Sequence, residues 1–270
     1  MNKETAKKNR YIVPAVHEAF RVLFCLAEYD GSFMSLNEVC RRVDIHKSKA
    51  FSILNTLQEF GVILRNSEGK GYALGPGLVS LSRGFLDKLS TPRIAEPVVA
   101  ELSKKTGHTV VFGMRVDKYA FVVAKHEGEQ HIAITVRLGQ RFPLTYGSHG
   151  KAIAAMLSRE DLENLLNEEK PYFHGDPSAF NRKRLEQEME DYLRTGYATD
   201  FGEMAPGIAT VASAVMGPKG APIGYVVVFG FLSVEAADKL GPLVAEAGQA
   251  LSEQLGGTAG RIGAFRRNGY

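Results

Sequence analysis

Apolar residues recur at helical spacing near the start of the chain. Val16, Phe20, Leu23 and Leu26 stand four and three apart, and predict a helix from about Pro14 to Tyr29 with one buried stripe. Pro14 suits a first helical turn, where its missing amide costs nothing, and Asp30-Gly31 ends the segment. Ser35-Leu36-Asn37-Glu38 has capping-box spacing: the Ser35 hydroxyl accepts from a free amide and the Glu38 carboxylate reaches back. It opens a short helix to about Arg42, with Leu36, Val39 and Cys40 inward, followed by a tight turn at Val43-Asp44-Ile45. Ala50, Ile53, Leu54, Leu57 and Phe60 form the stripe of a third helix, about His46 to Phe60, stopped by Gly61. Val62 to Arg65, a polar turn, and Tyr72 to Leu74 read as a β-hairpin.

After the break at Gly75-Pro76-Gly77 the pattern changes. Leu78 to Lys88 reads as a linking helix, and Thr91-Pro92 caps another to about Lys105. Strands are predicted at His108–Val116, Tyr119–Lys125, His131–Leu138, Tyr197–Thr199, Ile208–Met216 and Gly224–Phe229. Helices are predicted at Lys151–Leu157, Asp161–Asn167, Asn181–Thr195 and Val234–Leu255, the last capped by Ser233. Strand pairs with flanking helices spell an α+β chain rather than a regular βαβ alternation.

Composition adds little: 270 residues, 44% hydrophobic and 23% charged, describe an ordinary globular chain long enough for two domains. The net charge of +3 is too weak to announce a nucleic-acid binder, but its distribution is uneven. Residues 1–76 carry eleven Lys and Arg against eight Asp and Glu, whereas the remainder is balanced. The excess sits in an N-terminal arm with Lys3, Lys7, Lys8 and Arg10. Cys25 and Cys40 form neither a CxxC pair nor a disulfide framework and read as small buried apolar residues in a reducing cytoplasm. No apolar run of about 18 residues predicts a membrane span, and the polar start Met1-Asn2-Lys3-Glu4 lacks an apolar signal region.

Two helices joined by a short turn, beside a third, make the helix-turn-helix pattern. The second helix of that motif lays its N-terminal residues against base edges. Those positions are Lys47, Ser48, Lys49, Phe51 and Ser52, which lie off the apolar stripe. Arg41 and Arg42 precede the turn and suit phosphate contacts, and the hairpin, carrying Arg65, Asn66 and Lys70, suits a DNA-touching wing. The same helices also fit a dimerisation module that never meets DNA.

Four stretches, in order, resemble the IclR-type transcriptional regulators. They are Val13-Pro-Ala-Val-His-Glu-Ala-Phe-Arg-Val-Leu23; Lys47-Ser48 with Leu54-Asn-Thr-Leu57 and Gly61; Tyr72-Ala-Leu-Gly75; and Pro143-Leu144, Gly150-Lys151-Ala152, Asp200-Phe-Gly-Glu203 and Gly207-Ile208 together. Lys49 stands where the family usually has Thr, and Ser52-Ile53 where it often has His-Arg. The resemblance implies an N-terminal winged helix-turn-helix and a C-terminal GAF-like effector-binding domain, an antiparallel sheet flanked by helices. It also implies a homodimer or homotetramer on a pseudo-palindromic double-stranded operator, switched by a small molecule. The expected division is a basic arm at 1–12, the winged helix-turn-helix at 13–76, a linker helix at 77–90, the effector domain at 91–258 and a tail at 259–270.

Carried over by position, the resemblance implies an effector site at Ser148, His149, Asp200, Thr210, Val227 and Phe229. Val227 and Phe229 are apolar, so a less polar ligand than a short oxo-acid is expected, such as an aromatic one. An enzyme using Asp200, Glu203 and His149 is the rival reading. Against it, Gly150-Lys151 lacks the phosphate-loop pattern, since Thr145 and Ala152 occupy two required positions. No G-x-S-x-G surrounds Ser148. The histidines lack metal-ligand spacing, so neither a metal nor a cofactor is expected.

Overall fold

The computed structural model describes residues 12–86, 90–129 and 134–257. Nearly all of the basic arm, the C-terminal tail and His131–Ala133 of a predicted strand lie outside these residues. The chain divides into two compact units between residues 88 and 89.

The first unit begins with α1 (Pro14–Ala27), a two-residue strand β1 (Met34–Ser35), α2 (Leu36–Val43) and α3 (Lys47–Glu59). The hairpin strands β2 (Ile63–Arg65) and β3 (Gly71–Leu74) and the helix α4 (Gly77–Leu86) complete it. β1 pairs antiparallel with β3, Met34 opposite Tyr72, so the wing sheet has three strands in the order β1-β3-β2. Two residues are too few to show an alternation, so β1 carries no pattern of its own. Val22, Leu26, Met34, Val39, Val43, Ile53, Leu54, Ile63 and Tyr72 form the core.

Three expectations for this unit change. Val16 and Phe20 are 53% and 57% exposed, because α1 turns Ala19, Val22, Leu23 and Leu26 inward instead. Phe60 is 73% exposed, since the helix ends at Glu59 and Phe60 is its cap. Ser35 does cap α2, accepting from the Glu38 amide, but the Glu38 carboxylate binds Arg41 and Arg42 rather than reaching back. The turn between α2 and α3 depends on Asp44 at φ +56, a left-handed conformation that Asp tolerates better than most residues.

The second unit opens with α5 (Ser90–Thr106), then β4 (Thr109–Val116), β5 (Tyr119–His126) and β6 (Arg141–Pro143). It continues with α6 (Gly147–Ala155), α7 (Arg159–Glu168), α8 (Arg182–Thr195), β7 (Ala198–Phe201), β8 (Ala209–Met216), β9 (Pro222–Gly230) and α9 (Val234–Gln254). The six strands form one antiparallel sheet in the order β6-β5-β4-β9-β8-β7. Alternate residues point to opposite faces of a strand, and both faces here are apolar. Val110, Phe112, Val211, Val215, Val226 and Val228 pack with α5 and α9. Val111, Val122, Ala212, Ala214, Tyr225 and Val227 pack with α6.

The predicted strand His131–Leu138 is a correction: Ile134–Leu138 form no strand. Gly139, at φ +79, turns the chain and delivers Gln140 and the residues after it to the free edge of β5. Two boundaries also move. α6 begins at Gly147, not Lys151; its glycines look like helix breakers, yet a Cβ on Gly150 would stand 2.6 Å from the Leu144 carbonyl. β7 runs on to Phe201, which puts Asp200 on a strand rather than in a loop.

Candidate functional site

The start of α3 presents Lys47, Ser48, Lys49, Phe51 and Ser52 to solvent, while Ala50, Ile53 and Leu54 face the core. Its N-cap, His46, makes no side-chain cap hydrogen bond, leaving first-turn amides available to an anion. Arg41 and Arg42 share Glu38: Arg41 donates at 2.7 and 3.0 Å and Arg42 at 2.5 Å. These hydrogen bonds hold the half-buried Glu38 carboxyl down to about 2. Lys49 donates to Glu18 of α1 at 2.7 Å. Ser52 bonds back to the Ser48 carbonyl at 3.1 Å. Among the described residues, Lys47 and Lys70 make no ion pair.

The wing is tied to this helix. Arg65 donates to the Gly69 carbonyl at 2.7 Å, and its guanidinium carbon lies 5.9 Å from the Phe51 ring and 5.5 Å from the Tyr72 ring. The Asn66 side chain accepts from the Lys70 and Gly71 amides, both at 2.9 Å, and closes the turn. Phe51 therefore has a structural partner as well as an exposed position, which its place on the helix surface alone did not reveal.

In the second unit, the six predicted effector residues come together where α6 crosses the sheet. Asp200, Thr210 and Phe229 stand opposite one another across β7, β8 and β9, with Val227 two residues before Phe229 on the same face. Ser148 and Thr210 hydroxyls lie 2.6 Å apart and join helix to strand. His149 stacks on Tyr225 at 4.4 Å and places Nε2 3.4 Å from the Pro143 carbonyl. Burial pushes His149 down to about 4, so the ring is neutral at pH 7.

Asp200 is the chemically exposed member of the set in every sense but solvent access. It is 1% accessible, and neither carboxylate oxygen has a hydrogen-bond partner. Burial pushes its carboxyl up to about 6, against the pull of the Lys151 ammonium. Gly147 admits this approach: it sits at φ +51, and a Cβ there would stand 2.8 Å from Met204 Cγ and 3.6 Å from Asp200 Oδ2.

Lys151, read from the sequence only as a failed phosphate loop, is a buried tie. Its Nζ donates to Glu188 at 2.9 Å, Glu203 at 3.1 Å and the Thr199 carbonyl at 3.2 Å, using all three protons. Arg184 pairs with both glutamates. His174 accepts from the Asn181 amide at Nδ1, so Nε2 carries the proton that it donates to Glu188 at 2.9 Å. A lysine inside the alanine-rich α6 was the available signal, because such a cation is buried only when paired. Glu203 is thus committed to two cations, Ser148 to Thr210 and His149 to Pro143, while the neighbouring charge of Glu203 adds to the upward push on Asp200. Among the described residues no cluster of His, Cys, Asp and Glu is arranged for a metal ion. No described helix is long and apolar enough to cross a membrane.

Residues 84–253 match the family model described as bacterial transcriptional regulator IclR C-terminal, and residues 15–67 match the IclR helix-turn-helix domain. The chain belongs to the IclR family. These are ligand-responsive, DNA-binding transcriptional regulators, and this IclR-family chain carries both domains. It is 25% identical to the HTH-type transcriptional regulator KipR of Bacillus subtilis, over 83% of this chain and 91% of that one. It is 23% identical to the acetate operon repressor of Salmonella typhimurium, over 91% of each. The IclR crystal structure from Thermotoga maritima superposes with a TM-score of 0.68 at 26% identity, covering 89% of this chain and 98% of that one. An IclR homolog from Microbacterium hydrocarbonoxydans, complexed with 4-hydroxybenzoate, shares the fold with a TM-score of 0.70 at 18% identity, covering 89% and 98%.

Proposed function

We propose that residues 13–76 read an operator and that residues 91–258 sense a small molecule, with 77–90 as the link. Lys47, Ser48, Lys49, Phe51 and Ser52 meet base edges; Arg41, Arg42, Arg65 and Lys70 meet phosphates. The observation that supports this most is the single exposed face formed by the first turns of α3, beside a docked wing. The protein works in the cytoplasm as a dimer or tetramer on paired half-sites. Val16 and Phe20, apolar and exposed on α1, support pairing of copies. The regulator reading is preferred to an enzyme, since Glu203, Ser148 and His149 are bonded to Lys151 and Arg184, Thr210 and the Pro143 carbonyl.

The effector lies against Asp200, Thr210, Ser148, His149, Val227 and Phe229. Two bare, buried carboxylate oxygens reward a ligand that donates hydrogen bonds, and the apolar strand residues favour a ring or hydrocarbon body. The aromatic ligand of the Microbacterium neighbour is consistent with that reading.

Fluorescence anisotropy with DNA from upstream of the protein's own gene, at two salt concentrations, tests the first half. Operator affinity about a thousandfold above random duplex is expected. Equal binding to every fragment defeats the base-reading assignment. Calorimetry with aromatic acids, pyruvate and glyoxylate tests the second half; binding of the short oxo-acids alone defeats the apolar-body reading.

A further inference from the structure

Lys49 stands in the first turn of α3, and its ammonium leans back onto a carboxylate rather than outward. Nζ lies 2.7 Å from Glu18 Oε1, with the Glu18 side chain 17% exposed and that of Lys49 47% exposed. The two residues are 31 apart in sequence, so the packing of α1 beside α3 makes this contact. The second Glu18 oxygen is buried without a partner, which places the acid behind the reading face rather than on it.

An unbraced lysine is a point charge on a flexible stem and tracks phosphates readily. A partly exposed ion pair adds little to fold stability, so its effect lies in where the charge is held. Glu18 accepts a hydrogen bond from one ammonium N–H and so fixes the direction of the other two. We propose that Glu18 is a specificity-determining residue that holds Lys49 off the phosphate backbone and aims it at base edges. The proposal rests on α3 being the recognition helix. On DNA of arbitrary sequence, Lys49 then supplies less than a full phosphate contact unless Glu18 is replaced by a neutral residue.

The test uses the full chain, a random-sequence duplex and anisotropy across a salt series. Wild type, Glu18→Gln, Lys49→Met and the double variant are compared. One added phosphate contact steepens the dependence of log K on log salt by about 0.9. Glu18→Gln is expected to bind random duplex several-fold more tightly at moderate salt, with that steeper slope. In the Lys49→Met background the same change is expected to have no effect. An unchanged slope in Glu18→Gln overturns the proposal. So does an equal steepening without Lys49, because a general charge effect acts in both backgrounds. Wild type that binds no duplex at any salt brings down the recognition-helix reading itself, and the brace with it.

Discussion

Replacing Asp200 with Asn is expected to stabilise the second unit at neutral pH while removing its effector response. The folded state raises the Asp200 carboxyl to about 6 from its ordinary value of 3.8, so it holds the proton more tightly than the unfolded chain does. Below about pH 4 both states are protonated and the ionised form costs nothing. The cost grows as pH rises through the window from about 4 to 6 and is complete above it. A shift of about two units corresponds to on the order of 2–3 kcal/mol. At about 2–4 °C per kcal/mol for a domain of this size, Asp200→Asn gains roughly 4–12 °C at pH 7.5. Thermal unfolding of both proteins between pH 4 and 7.5 measures the gap. A gap that is constant across that range, or an Asn variant less stable at pH 7.5, refutes the argument that burial of an unpartnered carboxylate strains this site.

Lys47→Ala is expected to weaken operator binding by about 1–3 kcal/mol if it reads a base, whereas loss of a phosphate contact at Lys70 lowers the salt slope by about one across all sequences; anisotropy separates the two. Lys151→Met leaves Glu188 and Glu203 partly paired through Arg184, so a loss of about 2–4 kcal/mol is expected rather than the full cost of an orphaned buried pair. Denaturant unfolding reads it, and a change below about 0.5 kcal/mol contradicts the tie. Gly147→Ala places a methyl 2.8 Å from Met204 at a left-handed backbone position and is expected to cost about 1–3 kcal/mol. Calorimetry of the same variant is expected to show lost effector binding.

The N-terminal reading was legible because local signals agree there. Ser35, Asp44 and Gly61 mark the ends of α2 and α3, and the stripe through Ala50, Ile53 and Leu54 orients the second of them. The register of α1 was not legible: Val16, Phe20 and Phe24 are as apolar as Val22 and Leu26, and only packing decides which stripe is buried. Around the proposed effector site, the sequence supplies candidate residues but not their contacts. Nothing local says that Ser148 meets Thr210, 62 residues away, or that Lys151 meets Glu203, 52 away. Strand β6 escaped because three residues at a sheet edge carry no period, while Ile134–Leu138 alternate without pairing.

The stacking of Arg65 between Phe51 and Tyr72 has a thermodynamic consequence. With the wing already clamped to α3, the reading head needs no loop ordering when it meets a duplex. Its association enthalpy and heat capacity should then scale with the surface covered, without the excess that marks coupled folding. Phe51→Ala is then expected to restore that excess, read by calorimetry of duplex binding. On the proposed reading, substitutions at Lys47, Ser48, Lys49 or Ser52 change which duplex is bound, whereas a change at Phe51 alters the stiffness of the surface that binds it.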